Sequence, residues 1–220
     1  MKGEGEAARE SILARIRARQ GKGAVPDAVE RGAVREHIAA HPQSPRPRMD
    51  WDPIARFRER ALGLASTVDE VATLEAIPAA VARYLAAHSL PLAGVCWPEF
   101  AGLDWRGAGL AVESRAARGA DPVGITGAFC AIAETGTLMT VTGRDTPATL
   151  SLLPETHVAV VRISRIVPGM EEAWRLLRDE LGEPPRAVSF ISGPSRTADI
   201  EQTVTLGAHG PYRVHVILAP

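Results

Sequence analysis

The sequence predicts an α/β fold with a mixed sheet, preceded by a helical N-terminal extension. From about residue 65 onward, short aliphatic segments typical of buried strands alternate with longer segments of helical periodicity. Within this region, FCAIAETGTLMTVT (residues 129–142) has the pattern of two strands joined tightly at Thr135-Gly136, which is typical of an antiparallel hairpin. Strands joined through helices are usually parallel, so a hairpin among them favours a sheet of mixed direction.

Residues 1–50 are predicted to form the extension and its linker. Residues 6–20 carry apolar side chains at helical spacing among arginines, and the glycines of GKG end this pattern. A weaker helical pattern covers residues 29–40. The next segment, HPQSPRPR (residues 41–48), contains three prolines and resists both helix and sheet. The α/β domain is therefore expected to occupy residues 51–220.

The elements of this domain are predicted in a regular order. A helix begins at Pro53, and a second covers residues 74–88 despite Pro78. A third helix covers residues 168–181. Besides the two strands of the hairpin, strands are predicted over residues 66–72, 92–97, 109–113, 157–163, 187–192 and 212–219.

Composition limits the classes of function. The net charge is −1, so no overall field attracts the chain to nucleic acid or to an anionic membrane. No apolar run is long enough to span a bilayer and the N-terminus has no signal-peptide core, so a cytoplasmic protein is expected. Cys96 and Cys130 lie in apolar surroundings without ligand-like spacing. They predict buried core thiols, with no metal site and no iron–sulfur cluster in this chain.

A polar segment directly follows the predicted strand AVSFIS. Gly193-Pro194-Ser195 is predicted to form a stiff turn in which a backbone N–H can be exposed, and the hydroxyls of Ser192, Ser195 and Thr197 are expected to converge there. Because ligands of open α/β sheets bind where strands end, this segment is a candidate for binding an anion such as phosphate or carboxylate. Alternatively, Asp199 and Gln202 cap a short helical turn, with the hydroxyls closing the loop.

Two further polar residues are candidates for a site. Glu134 ends the apolar strand FCAIA and could act as a base or nucleophile, or it could point into water at the hairpin corner. His209 lies in a turn bounded by glycines and could approach a ligand, or it could be a surface group. We expect Glu134, residues 193–195, Thr197, Asp199 and His209 to converge on one cleft at the carboxyl edge of the sheet.

Four motifs in this order carry a family resemblance: GITGAFCAIAETGTL, SLLPETHVAVVRISRIVP, SGPSRTADIE and GAHGPYRVHVIL. They resemble the LUD-domain family, on the lactate utilisation protein C branch, closely over residues 120–220 and more loosely over residues 50–120. The resemblance implies a three-layer α/β/α fold related to the CoA-transferase and ribose-phosphate isomerase group. It also implies a role in bacterial oxidation of L-lactate to pyruvate, alongside separate iron–sulfur subunits.

The resemblance also bears on the site. SGPSRTADIE resembles a signature loop of the family, which implies a pocket for a small carboxylate or phosphate-containing ligand and no cofactor in this chain. The candidate ligand-binding residues are Thr135, Gly136, Thr137, Ser192, Gly193, Pro194, Ser195, Thr197, Asp199, Glu201, His209 and Gly210. Glu134-Thr-Gly is loosely similar to the glutamate-x-glycine site of CoA-transferases. A stand-alone acyl-transferase or ligase using Glu134, or a carboxylate- or nucleotide-binding protein without chemistry, therefore remains an alternative.

Overall fold

The computed structural model describes residues 2–198 and 203–220 and divides into two units, residues 1–47 and residues 48–220. The smaller unit contains helix α1 (Lys2–Gln20) and helix α2 (Ala28–Ala40). Helix α2 begins with a capping box, in which the Asp27 carboxylate accepts from the Glu30 N–H and the Glu30 side chain accepts from the Asp27 N–H. Both predicted helices of the extension are thus present.

The larger unit begins with helix α3 (Pro53–Gly63), whose first turn is capped by the Asp52 carboxylate. Phe57 and Ala61 lie on its buried face. The second predicted helix consists of a 3₁₀ turn (Leu74–Ala76) followed by α4 (Ile77–Ala87), with Pro78 tolerated in the first turn of α4. Helix α5 (Thr149–Leu152) is short, and α6 (Met170–Leu181) confirms the helix predicted over residues 168–181.

A six-stranded sheet forms the centre of this unit, with the strand order β1-β12-β7-β4-β2-β3. Every neighbouring pair in it is parallel. All six strands therefore end at the same edge. The strands are β1 (Thr67–Glu70), β2 (Ala93–Cys96), β3 (Ala111–Ser114), β4 (Val123–Gly127), β7 (Thr156–Arg162) and β12 (Arg213–Ala219).

The predicted hairpin is confirmed, but it lies in a second sheet with the order β8-β5-β6-β9. Strand β6 is antiparallel to both β5 and β9, and β8 is parallel to β5. The expectation of one mixed sheet is therefore wrong: the main sheet is parallel throughout, and the antiparallel pairs lie elsewhere. These strands are β5 (Cys130–Ile132), β6 (Thr137–Val141), β8 (Ile166–Val167) and β9 (Val188–Ile191). A small ribbon pairs β10 (Arg196–Thr197) with β11 (Thr205–Leu206).

The layers also differ from the expected α/β/α sandwich. One face of the six-stranded sheet packs against α4, through a core that includes Val81, Leu85, Val158 and Ile217. The opposite face packs against both α3 and the second sheet, in a core of buried residues that includes Phe57, Ala61, Leu138, Ala159 and Val216. Helix α6 covers the other side of the second sheet with Ala173 and Leu177. An extra sheet thus lies between the main sheet and α6.

None of the helices in residues 2–198 and 203–220 is both long enough and apolar enough to cross a bilayer.

Candidate functional site

A cavity of about 250 Å³ opens at the carboxyl edge of the parallel sheet. Trp97, Gly127 and Arg162 line it, and each stands at or directly after the end of a strand: β2, β4 and β7. These strands are neighbours in the order β7-β4-β2, so three consecutive strand ends meet at the cavity. The carboxyl edge of a parallel sheet is where α/β proteins bind ligands. Further lining comes from Leu74, Glu99, Phe100, Ala128, Phe129, Val141, Thr146, Val160 and Arg165.

Gly127 provides part of the open space, because it has no side chain at a position that faces the cavity. A Cβ atom built there would lie 3.1 Å from Glu99 Oε2 and 3.6 Å from the Trp97 ring. Trp97 is itself fixed, since it is buried and its indole N–H donates to the Pro147 carbonyl oxygen at 3.2 Å. The cavity therefore has one rigid aromatic wall beside a glycine that leaves room for a carboxylate.

The two arginines of the cavity differ in how completely they are paired. Arg165 donates to both carboxylate oxygens of Glu180, and its Nε–H donates to the Phe129 carbonyl oxygen at 2.8 Å. Its guanidinium also lies 4.7 Å from the centre of the Phe129 ring. The hydrogen bonds from Arg165 lower the pKa of Glu180 below its usual value. Arg165 is therefore a structural group, already occupied by its partners.

Arg162 is held more loosely than Arg165. Among the residues that the structure describes, its guanidinium makes one ion pair, from Nη2 to Glu99 Oε1 at 3.3 Å. The side chains of Arg162 and Glu99 are 44% and 48% exposed, so a ligand can reach both. An exposed pair with a single long contact contributes little stability and is easily rearranged. Of the two arginines, Arg162 is thus the one whose guanidinium can bind a ligand anion.

Several residues predicted for the site do lie together, at one edge of the second sheet. Strands β5 and β9 both run opposite to β6, so their carboxyl ends fall at the same edge. The Thr135 hydroxyl donates to Thr137 Oγ1 at 2.8 Å, and Thr137 Oγ1 lies 2.7 Å from the Ser192 hydroxyl. Glu134 is partly buried next to them, and its backbone N–H donates to the Pro168 carbonyl oxygen at 2.9 Å.

The glycines of these two segments serve close packing against α3. Gly136 and Gly193 have φ angles of +69° and +79°, which favour glycine. A Cβ atom at Gly136 would lie 2.5 Å from the Ala61 nitrogen, and one at Gly193 would lie 2.3 Å from the Leu64 carbonyl oxygen. The positive φ angles and the close packing explain why both positions are glycine, and no ligand is needed to explain them.

The other predicted residues form a second group around the β10–β11 ribbon. The Ser195 N–H donates to the Pro211 carbonyl oxygen, and the Ser195 carbonyl oxygen accepts from the Gly207 N–H, both at 2.9 Å. Thr197 stands opposite Thr205 in the ribbon, and Gly210 packs against the Ser195 side chain. Pro194 is buried and His209 is exposed. Asp199 and Glu201 lie outside the described residues.

None of the predicted residues that the structure describes lines the carboxyl-edge cavity. The predicted polar segments follow the strands FCAIA and AVSFIS, which belong to the second sheet, whereas the cavity lies at the edge of the six-stranded sheet. Glu99, Gly127 and Arg162, which line the cavity, were not predicted from the sequence. A charged residue that ends the apolar strand HVAVVR, and a glycine that ends VGITG, were the available signals for two of them.

Two histidines are buried in the sheet. His157 Nε2 lies 2.8 Å from Thr126 Oγ1, whose hydroxyl donates to the Gly127 carbonyl oxygen, so a neutral His157 donates through Nε2. Its Nδ1 has no partner among the described residues. Burial lowers the pKa of His157 to about 4. Burial likewise lowers the pKa of His215, which stacks on Tyr84 at 3.9 Å, to about 4.

The sequence profile of the LUD domain matches residues 103–219, which is more than half of the chain. The chain belongs to the LUD-domain family. This match confirms the resemblance carried by the four motifs. The matched part of the LUD domain contributes Gly127, Phe129, Arg162 and Arg165 to the cavity, whereas Trp97 and Glu99 precede it.

The LUD-domain chain is similar to several curated proteins named lactate utilization protein C. It is 38% identical to that of Anoxybacillus flavithermus over 96 residues, covering 44% of this chain and 43% of that protein. The Bacillus subtilis protein is 38% identical over 99 residues (44% and 41%), and the Exiguobacterium protein 42% over 100 residues (44% and 43%). The similarity thus spans less than half of the length of these relatives.

One solved structure shares the fold of the LUD-domain chain. It is a DUF162 family protein from Deinococcus radiodurans, similar with a TM-score of 0.57 and 25% sequence identity. The similarity covers 76% of this chain and 96% of that one. It therefore extends well beyond the region of sequence similarity to the curated relatives.

Proposed function

We propose that this LUD-domain protein is a component of a bacterial L-lactate utilisation system, in which it binds a small anionic ligand and carries no redox centre. Its similarity to lactate utilization protein C from several bacteria supports the role in such a system. The ligand site that we propose is the carboxyl-edge cavity.

The main support for this ligand site is that the guanidinium of Arg162 is only partly paired. Its guanidinium stands at the end of a central strand, lines the cavity and has one long contact with Glu99. An arginine in this setting binds a carboxylate or phosphate through paired N–H donors. The remainder of the cavity wall is mostly apolar and favours a small anion with an apolar part.

The absence of a redox centre is proposed from the thiols. Iron–sulfur clusters are bound by thiolates. Cys96 and Cys130 are both buried, and burial raises the pKa of Cys96 to about 11 and that of Cys130 to about 12. We therefore place the oxidation of lactate to pyruvate in partner iron–sulfur subunits, with this chain as their ligand-binding partner.

Growth on L-lactate tests the proposal. A strain in which the chromosomal gene is deleted is complemented with wild type, Arg162→Gln, or Arg175→Gln as a matched control. Arg175 also pairs with a glutamate, Glu172 at 2.9 Å, but on the exposed surface of α6. We expect wild type and the control to restore growth, and Arg162→Gln to fail at equal protein level. Normal growth of the deletion strain on lactate contradicts the role, and full rescue by Arg162→Gln contradicts the site.

A further inference from the structure

We propose that the carboxyl-edge cavity selects 2-hydroxy monocarboxylates: Arg162 binds the carboxylate, and Glu99 accepts a hydrogen bond from the neighbouring hydroxyl. This inference rests on the proposed ligand site and adds the class of compound that the site recognises. Within residues 2–198 and 203–220, Arg162 and Glu99 form a pair of opposite charges that faces the cavity and has no other ion-pair partner.

The spacing of this pair matches the ligand. Arg162 Nη2 and Glu99 Oε1 are 3.3 Å apart, so a donor and an acceptor stand side by side at the mouth of the cavity. A 2-hydroxy acid has an acceptor, its carboxylate, and a donor, its hydroxyl, on adjacent carbon atoms. It can therefore bond to both side chains while they move only slightly apart. Both bonds involve a charged group and are stronger than neutral ones.

Glu99 provides the discrimination. An ionised carboxylate can only accept hydrogen bonds, so Glu99 can accept one from a hydroxyl. The oxo oxygen of a 2-oxo acid is also only an acceptor, so it cannot form a hydrogen bond with Glu99. A compound without the hydroxyl leaves this bond unmade, which costs about tenfold or more in affinity for a bond to a charged group. The cavity should therefore hold lactate and reject pyruvate.

The remaining lining is mostly apolar and disfavours a second carboxylate. Leu74, Phe100 and Val160 line the cavity together with the fixed ring of Trp97. In liquid water one molecule occupies about 30 Å³, so the cavity volume of about 250 Å³ corresponds to roughly eight water molecules. The cavity therefore has room for a hydrocarbon group larger than a methyl. A dicarboxylate would place its second charge against these apolar groups, against Glu99, or against Arg165, whose guanidinium is already bound by Glu180. Monocarboxylates with apolar substituents fit this lining.

The backbone holds Glu99 in position. It lies in the 3₁₀ turn Pro98–Phe100, directly after β2, and its Oε2 lies over Gly127. A methyl group at residue 127 would come within 3.1 Å of that oxygen, a contact tight enough to displace the carboxylate by a few tenths of an ångström. Gly127→Ala is therefore a mild change that should weaken recognition of the hydroxyl while the fold is retained.

Isothermal titration calorimetry of the full chain with L-lactate, pyruvate and L-malate tests the inference. For wild type, we expect L-lactate to bind at least about tenfold more tightly than pyruvate or L-malate. Glu99→Gln should reduce this preference for lactate over pyruvate to less than about threefold, because an amide donates to an oxo oxygen as well as accepting from a hydroxyl. Arg162→Gln should abolish binding of all three compounds, and the control Arg175→Gln should match wild type.

Different results overturn different claims. Equal binding of L-lactate and pyruvate by wild type, or an unchanged preference in Glu99→Gln, refutes the selection by Glu99 and leaves the anion site intact. Binding that survives Arg162→Gln refutes the site itself. No binding of any of the three compounds by wild type also refutes the inference, whereas the role in lactate growth is judged separately by the complemented strains.

Discussion

Protonation of His157 should make the stability of the protein depend on pH in the mildly acidic range. The side chain is completely buried, its Nδ1 has no partner among the described residues, and its pKa is lowered to about 4 by burial. In the unfolded chain a histidine has a pKa of about 6.5. Between these two values the unfolded chain binds a proton that the folded protein does not, so the free energy of unfolding falls as the pH falls.

The size of this effect follows from the two pKa values. Lowering the pH from about 7 to about 5 should cost about 2 kcal/mol through His157 alone. A further loss continues until the pH approaches the folded pKa of about 4. With a urea dependence of about 2 kcal/mol per molar, typical of a domain of this size, the loss shifts the unfolding midpoint by roughly 1 M urea. His215 adds to the total loss in the same direction.

Urea unfolding followed by tryptophan fluorescence measures the effect, since all four tryptophans lie in residues 48–220. His157→Gln removes the titrating group and keeps an N–H donor for Thr126, so it should lose about 2 kcal/mol less than wild type between pH 7 and pH 5. The exposed His37 in α2 gives the matched control, His37→Gln, which should lose as much as wild type. Equal losses in wild type and His157→Gln, or an NMR titration of the His157 ring near its unfolded pKa, would refute the reasoning.

Two further predictions concern packing. Gly193→Ala should destabilise the protein by about 2 kcal/mol or more, because the new Cβ overlaps the Leu64 carbonyl oxygen and the positive φ is strained. The control Gly109→Ala has a similar φ of +77° but open space around it, so it should cost only about 1 kcal/mol. Equal costs of the two substitutions in urea unfolding would contradict the overlap. Cys96 and Cys130 should react with a thiol reagent only after unfolding, because burial keeps both protonated, and rapid labelling of the native protein would show that a thiol is accessible.

Strands with continuous aliphatic runs were predictable from the sequence. Strands β7 and β12 are seven residues long, almost entirely buried and rich in valine and isoleucine, so their composition alone indicates central strands. Strand β4 was missed because Gly124 interrupts its pattern. A Cβ atom at Gly124 would lie 2.0 Å from the Leu150 carbonyl oxygen, so the glycine is required by close packing of the segment around α5. Gly124 is therefore explained by a contact with a residue that is distant in sequence, which the sequence pattern does not reveal.

The candidate site, too, was only partly predictable from the sequence. The sequence indicated that polar residues follow the strands FCAIA and AVSFIS, and the hydrogen bond between Thr137 and Ser192 links those two segments. It did not indicate which sheet those strands join. The cavity instead combines residues from the ends of β2, β4 and β7, such as Glu99, Gly127 and Arg162. These residues are dispersed over more than sixty positions and share no local pattern.

The sequence by itself determined the α/β class, most of the helices and strands, the two buried thiols and the membership of the LUD-domain family. These properties depend on side-chain periodicity, composition and short motifs, which are local. Only the tertiary structure decided that the main sheet is parallel, that the hairpin belongs to a second sheet, and that Arg162 meets Glu99 beside Gly127. Strand pairing depends on how all the buried faces pack together, and segments that look alike in sequence can satisfy several pairings until the whole core is assembled.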